Sequence, residues 1–124
     1  MNEIIYLNEK PEINSGKTII IDGEKILTKL DFLKLIYNSL DFPEKNYMNW
    51  DAYLDWMRDL SWIEEKEINI VVINYKSLFK DDFIYCVYFV PDFENIIFPF
   101  WEKSAKEIFV DDKYIKTIKL YCVN

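Results

Sequence analysis

The stretch INIVVINY, Ile68–Tyr75, decides how this chain folds. Apart from Asn69 it is apolar and mostly β-branched up to Ile73. A strand wetted on one face alternates apolar and polar residues. A nearly continuous apolar run points instead to burial on both faces, as in a parallel sheet covered by helices. Two further segments read as strands: Lys17–Asp22, KTIIID, on the N-terminal side, and the run around Thr117–Val123, TIKLYCV, near the end. Parallel strands need crossovers long enough for helices, and the spacing here supplies them.

Between the first two strands the periodicity turns helical. The turn Asp22–Lys25, DGEK, is followed by Thr28, a predicted N-cap for a helix to about Leu40 with Leu30, Leu33, Ile36 and Leu40 on one face. Pro43 cannot continue a helix, so DFPE is read as its end. A second helix is predicted from about Tyr47 to Leu60. At ~100° per residue, Trp50, Tyr53, Leu54, Met57 and Leu60 share an apolar face. Asp51, Asp55 and Asp59 share the opposite side, with Arg58 at its edge.

Residues 76–111 are harder to read. FIYCVYFV suits a strand by propensity and a buried helix by composition. Pro91 and Pro99 are expected to interrupt the chain beyond it, with Pro99 in the first turn of a helix over FWEKSAKEIF. The expected fold class is α/β: a small domain with a three-stranded parallel sheet packed with helices, spanning 17–124. Residues 1–16 are expected to be an N-terminal extension, with a short strand at IIYL.

Composition excludes several chemistries. The chain has 124 residues, 51% hydrophobic and 18% aromatic, which suits one domain with a real core. It has no histidine, so it has no histidine-based triad or imidazole metal site. Its two glycines, Gly16 and Gly23, belong to no phosphate-cradling loop. We therefore expect no enzyme activity and no cofactor. The net charge of −7 opposes binding to nucleic acid or to an anionic membrane and favours a basic partner. Cys86 and Cys122 fit no metal spacing and are expected to be buried free thiols, which suits a cytoplasmic location. The acidic N-terminus does not read as a signal peptide, and no apolar run is long enough to span a membrane.

The block from Thr18 to Asp55 resembles the barstar family, intracellular inhibitors of the ribonuclease barnase. The resemblance is carried by Asp22-Gly23-Glu24, Ile26, Pro43-Glu44, Asn49, Asp51-Ala52 and Asp55. It implies a protein that plugs a ribonuclease active site with its second helix and the preceding loop. The partner it implies is a basic, extracellular-type ribonuclease or nuclease toxin, met by a monomer. Asp51 and Asp55 match the family's principal acidic contacts, and Asp59 continues the stripe. Lys45, Asn46 and Tyr47 fall in the binding loop, Leu54 stands where the family has an interface tryptophan, and Glu102 is matched to a later-helix glutamate. This chain departs from the pattern in having Lys45 for an aromatic contact, Tyr47 for a glycine, and Asp59-Leu60 for a Gly-Trp pair. The competing reading is an interaction domain on the same fold without ribonuclease inhibition.

Overall fold

The computed structural model describes residues 1–124. Four strands form one parallel sheet: β1 (Glu3–Leu7), β2 (Lys17–Asp22), β3 (Glu67–Ile73) and β4 (Thr117–Val123), in the order β1-β4-β3-β2. The three strands expected from sequence are present and mutually parallel. The fourth, at IIYL, pairs with β4 from Glu3↔Lys119 to Leu7↔Val123, so the sheet is one strand wider than expected. Helices α1 (Lys29–Ser39) and α2 (Trp50–Met57) connect β2 to β3. Helix α3 (Ile84–Asp92) opens a helical run that ends in α4 (Ala105–Ile108) and connects β3 to β4.

One sheet face carries the core. Ile19, Ile70 and Leu120 lie side by side in register, as do Ile21, Val72 and Cys122. All join a single buried cluster with Phe32, Leu33 and Ile36 of α1, Tyr53 and Met57 of α2, and Phe89 and Phe93 from the later helical run. The opposite face bears Thr18, Ile20, Asn69, Val71 and Tyr121, which lie outside that cluster.

Topology explains what crosses the opposite face. β2→β3 and β3→β4 step in one direction across the sheet, with their helices on the core face. β1→β2 runs the other way, from edge to edge. A right-handed crossover in that direction must pass over the other face. Residues 8–16 can reach at most ~30 Å. They must cross three strand spacings, ~14 Å, while returning along the strand length, so a helix will not fit. The result is an extended strap. Asn69 Nδ2 donates to Ser15 O at 3.0 Å, Pro11 and Ile13 are half-buried, and Val71 is 1% exposed.

Helix α1 begins at Thr28, whose hydroxyl accepts from Asp31 N–H while the Asp31 carboxylate accepts from Thr28 N–H. This is a capping box with Asp in the third position. Leu33, Ile36 and Leu40 are buried, but Leu30 is exposed, so the apolar face is narrower than predicted. The helix ends at Ser39 with Leu40 as its cap, as expected. The chain is turned by Asp41 at φ 49° ahead of Pro43, with Asp41 N–H donating to Asn38 O and Phe42 N–H donating to Tyr37 O. Phe42 then packs on Tyr37, ring centres 4.7 Å apart, completing a Schellman end.

FIYCVYFV is helix, not strand, and neither proline interrupts the run. Pro91 lies where α3 opens into a π turn over Phe93–Ile97, and Pro99 lies between that turn and a second over Phe100–Ser104. Phe98 N–H reaches back five residues to Phe93 O, as Ala105 N–H does to Phe100 O. A proline ring clashes with the carbonyl four residues back in a regular helix. For Pro99 that carbonyl belongs to Asn95, inside the first wide turn, which displaces it and lets the chain continue; Pro91 sits within α3 itself, two residues before that turn.

Candidate functional site

Helix α2 is short because its ends are defined locally. Asn49 Oδ1 accepts from Ala52 N–H at 2.8 Å and caps the N-terminus, so the helix starts at Trp50 rather than Tyr47. Its end tightens at Arg58 and Asp59, whose N–H groups donate three residues back, and Leu60 turns to φ 53°. Tyr53, Leu54 and Met57 are buried, and Leu60 is buried just beyond the end. Trp50 is half-buried, and its indole N–H donates to Asp92 Oδ2 at 2.7 Å, tying α2 to α3. At the other end Trp101 Nε1 donates to Met57 O at 2.9 Å.

The preceding loop is held by its own contacts. Tyr37 OH donates to Tyr47 O at 3.0 Å, Asn46 N–H donates to Glu44 Oε1, and Lys45 Nζ lies 2.8 Å from Asp41 Oδ1. The Tyr47 ring is exposed above this framework. Asp51 and Asp55 are exposed on α2. Asp59 is half-exposed, just beyond the helix end, where its Oδ1 accepts from Ser61 N–H. Arg58 Nη2 donates to Asp55 Oδ1 at 2.7 Å, and Arg58 Nε donates to Leu54 O at 3.1 Å.

Glu44, Tyr47, Ala52, Asp55, Trp56 and Asp59 line one shallow depression of about 360 Å³. Three carboxylates and two aromatic walls suit a cation: the acids attract it and the ring faces add cation–π attraction. Glu44 enters the sequence reading only through the family resemblance, and neither it nor Trp56 is among the expected site residues. Their signal is the step from the Pro43-Glu44 turn to the helix, which leaves Glu44 facing the acidic stripe.

The expected site residues do not all gather here. Lys45 and Asn46 stand on the adjoining loop. Leu54 is 8% exposed and packs in the core beneath the acidic face. Glu102 lies elsewhere, lining a hollow with Glu3, Tyr6 and Glu94 beside β1. Cys122 is buried as expected, but Cys86 is exposed, its thiol donating to Leu78 O at 3.0 Å; both cysteines are free.

Asp22-Gly23 also has a structural role. Asp22 Oδ1 accepts from Asn74 Nδ2 at 2.9 Å and from Glu24 N–H at 3.0 Å, which holds its carboxyl below the usual aspartate value. These bonds join the turns that follow β2 and β3.

Together these features define a two-layer parallel α/β domain that presents acidic side chains on a short, capped helix. The family model described as Barstar (barnase inhibitor) matches residues 16–83, more than half of the chain, and the chain belongs to that family. The matched segment contains β2, α1, α2 and β3 and stops just before α3. No curated protein and no solved structure matches. No helix is long and apolar enough to cross a membrane.

Proposed function

We propose that this protein inhibits a ribonuclease, or a related nuclease toxin, by placing α2 and the loop before it into the enzyme's basic active site. The observation carrying this reading is the acidic depression that joins Asp55 and Asp59 to Glu44, with Asp51 one helical turn before Asp55. A nuclease site gathers arginines and lysines to hold phosphates. Carboxylates on a preformed helix take the phosphates' place without a loop being ordered on binding. Residues 41–66 hold seven acids and three bases, net −4, more than half of the chain's charge. Such a patch steers a basic partner. The Arg58–Asp55 pair does not prevent this, because exposed pairs of this kind contribute only ~0.3–0.5 kcal/mol.

The test is inhibition and dissociation kinetics of Asp55→Ala against a nuclease captured by the parent protein. We expect weakening of at least ~2–5 kcal/mol, mainly through faster dissociation, because the partner's cations are left buried and unpaired. That scale belongs to close charge pairs in the barnase–barstar complex rather than to a measurement on this chain. Asp55→Ala should melt close to the parent temperature, since an exposed aspartate contributes little to stability. Equal inhibition by Asp55→Ala and parent would remove the assignment. The second reading, an interaction domain without ribonuclease inhibition, draws on Lys45 pairing with Asp41 and on burial of Leu54. Neither then supplies the aromatic contact of the family. Capture of a partner with no nuclease activity would favour it.

A further inference from the structure

The acidic depression does not stop at Asp59. Trp56 and Asp59 also line a second, wider hollow of about 470 Å³, walled further by Pro43, Trp62, Phe109 and Tyr114. The two hollows make one trench, which runs from the loop before α2 to a point past its C-terminus. Phe109 and Tyr114 lie outside the family-matched segment, 16–83, so this end is built by a part of the chain the family does not prescribe.

The walls are fixed before any partner arrives. Trp62 Nε1 donates to Leu40 O at 2.8 Å, and its ring stands at 89° to that of Trp56, centres 5.5 Å apart. Phe109 stacks on Trp101 at 5.9 Å, and Trp101 is itself tied to Met57 O. Tyr114 packs on Phe109 with ring centres 5.9 Å apart. Asp59 is the one carboxylate of this hollow. Its Oδ1 accepts from Ser61 N–H at 3.1 Å, and no cation of the chain pairs with it. Arg58 is committed to Asp55 Oδ1 and Leu54 O, and Lys113 stands in the adjoining hollow, 3.9 Å from Asp111.

We propose that this second hollow takes an arginine side chain of the nuclease, carried beside the cations that meet Asp55. The proposal rests on the inhibitor reading above, because Trp56 and Asp59 belong to both hollows. Fixed aromatic rings around an unpaired carboxylate call for a group that is both cationic and flat. A guanidinium stacks on rings, is weakly hydrated and can fork onto a carboxylate, whereas an ammonium is a compact, strongly hydrated charge. Its aliphatic stem covers apolar wall at the same time. A wholly apolar side chain would instead leave Asp59 desolvated and unpaired. The end of α2 lies at the same place, and the carbonyls of a helix C-terminus favour a cation. Because the rings are already held, little side-chain freedom is lost on binding. Asp55 thus selects a basic nuclease, and Tyr114 selects which one.

Two probes test this on the full chain. The first is Nα-acetyl-arginine amide, titrated into isotope-labelled protein by NMR beside Nα-acetyl-lysine amide. Trp62 lines the second hollow but not the acidic depression, so its indole N–H signal reports on the second hollow; buried Trp101 is the control. The Trp62 signal should move with the arginine probe at an affinity at least about threefold above that of the lysine probe, while the Trp101 signal stays in place. Asp59→Asn, which keeps an acceptor for Ser61 N–H and loses the charge, should weaken binding of the arginine probe. The second probe is the nuclease captured by the parent protein. Tyr114→Ser should inhibit it at least about fivefold more weakly, with an unchanged circular dichroism spectrum. Tyr114→Phe, which keeps the ring, should inhibit like the parent. A Trp62 signal that responds equally to both amides overturns the proposal, as does parent-level inhibition by Tyr114→Ser. If Asp55→Ala loses inhibition and Tyr114→Ser does not, the inhibitor reading stands and the arginine site alone falls.

Discussion

Gly23 shows how one residue can hold two turns together. It follows β2, and a Cβ built on it would collide with Asn74 O and come within 3.1 Å of Ile73 O. Both are backbone atoms, which cannot swing aside as a side-chain end can. The close approach exists because Asn74 binds the Asp22 carboxylate. Gly23→Ala must separate the turns after β2 and β3 and strain that bond. We expect a loss of at least ~2 kcal/mol, read as a lower urea midpoint at constant slope. A midpoint equal to the parent would show that the turns can part freely. In the sequence, Asp22-Gly23 is visible as a turn and as part of the family resemblance. Its reason is not visible there, because the group that excludes a Cβ is 51 residues further along the chain.

At the scale of elements, legibility follows the range of the forces involved. β2, β3, β4 and α1 are readable because propensity, periodicity and capping all act within a few residues of one another. The second helix is shorter than its periodicity predicts, since its apolar residues continue to Leu60 while its backbone does not. The decisive group is Asn49, whose cap excludes Tyr47 and Met48 from the helix. The run after Phe83 is hidden for another reason. Pro91 and Pro99 are breakers in a regular helix, and no local signal announces the wide turn before Pro99 that lets the helical run pass it. Asp51 and Asp55 are legible as exposed acids on α2, whereas the meeting of Asp55 with Glu44 and Trp56 depends on the path of the loop. Asn49→Ala should cost ~1 kcal/mol, because it leaves an N–H of α2 without its acceptor, while Asn49→Ser should retain most of the stability. The same loss frays the turn that carries Asp51, so Asn49→Ala should also bind the captured nuclease more weakly than its melting temperature alone explains. An alanine variant matching the parent in both measurements would show that water caps this helix equally well.

The whole molecule is held together by apolar contacts that also contain ionisable groups, and alkaline pH should expose this. Cys122 is buried on β4, in register with Val72 and Tyr6, and burial pushes its thiol from 9.0 up to about 12. Tyr75 is likewise raised to about 12, by burial first and then by Cys122 and Tyr6. Burial also raises Tyr53, Tyr37, Tyr6 and the Cys86 thiol. For each of these groups the folded state holds its proton to higher pH than the unfolded chain. Their contribution is fully present below the unfolded value and is lost as pH rises towards the folded one. Cys122 should begin to weaken the fold near pH 9, and the tyrosines near pH 10. Lys116 acts in the opposite sense. It is buried, its ammonium donates to Ile63 O and Glu65 O, and burial lowers its pKa below 10.5. Between its folded value and 10.5 the unfolded chain binds the extra proton, so this one group adds stability as pH rises. It stands against two thiols and four tyrosines, so the net slope above pH ~10 is downward. By pH ~10.5 Cys122 alone should have removed about 2 kcal/mol. Cys122→Val keeps an apolar side chain in the strand, adds β-branching that a strand favours, and removes the titration. Thermal melts between pH ~8 and ~10.5 should fall less steeply for Cys122→Val than for the parent. Identical slopes would mean that the Cys122 thiol does not titrate differently on folding and would assign the alkaline loss to the tyrosines and Cys86.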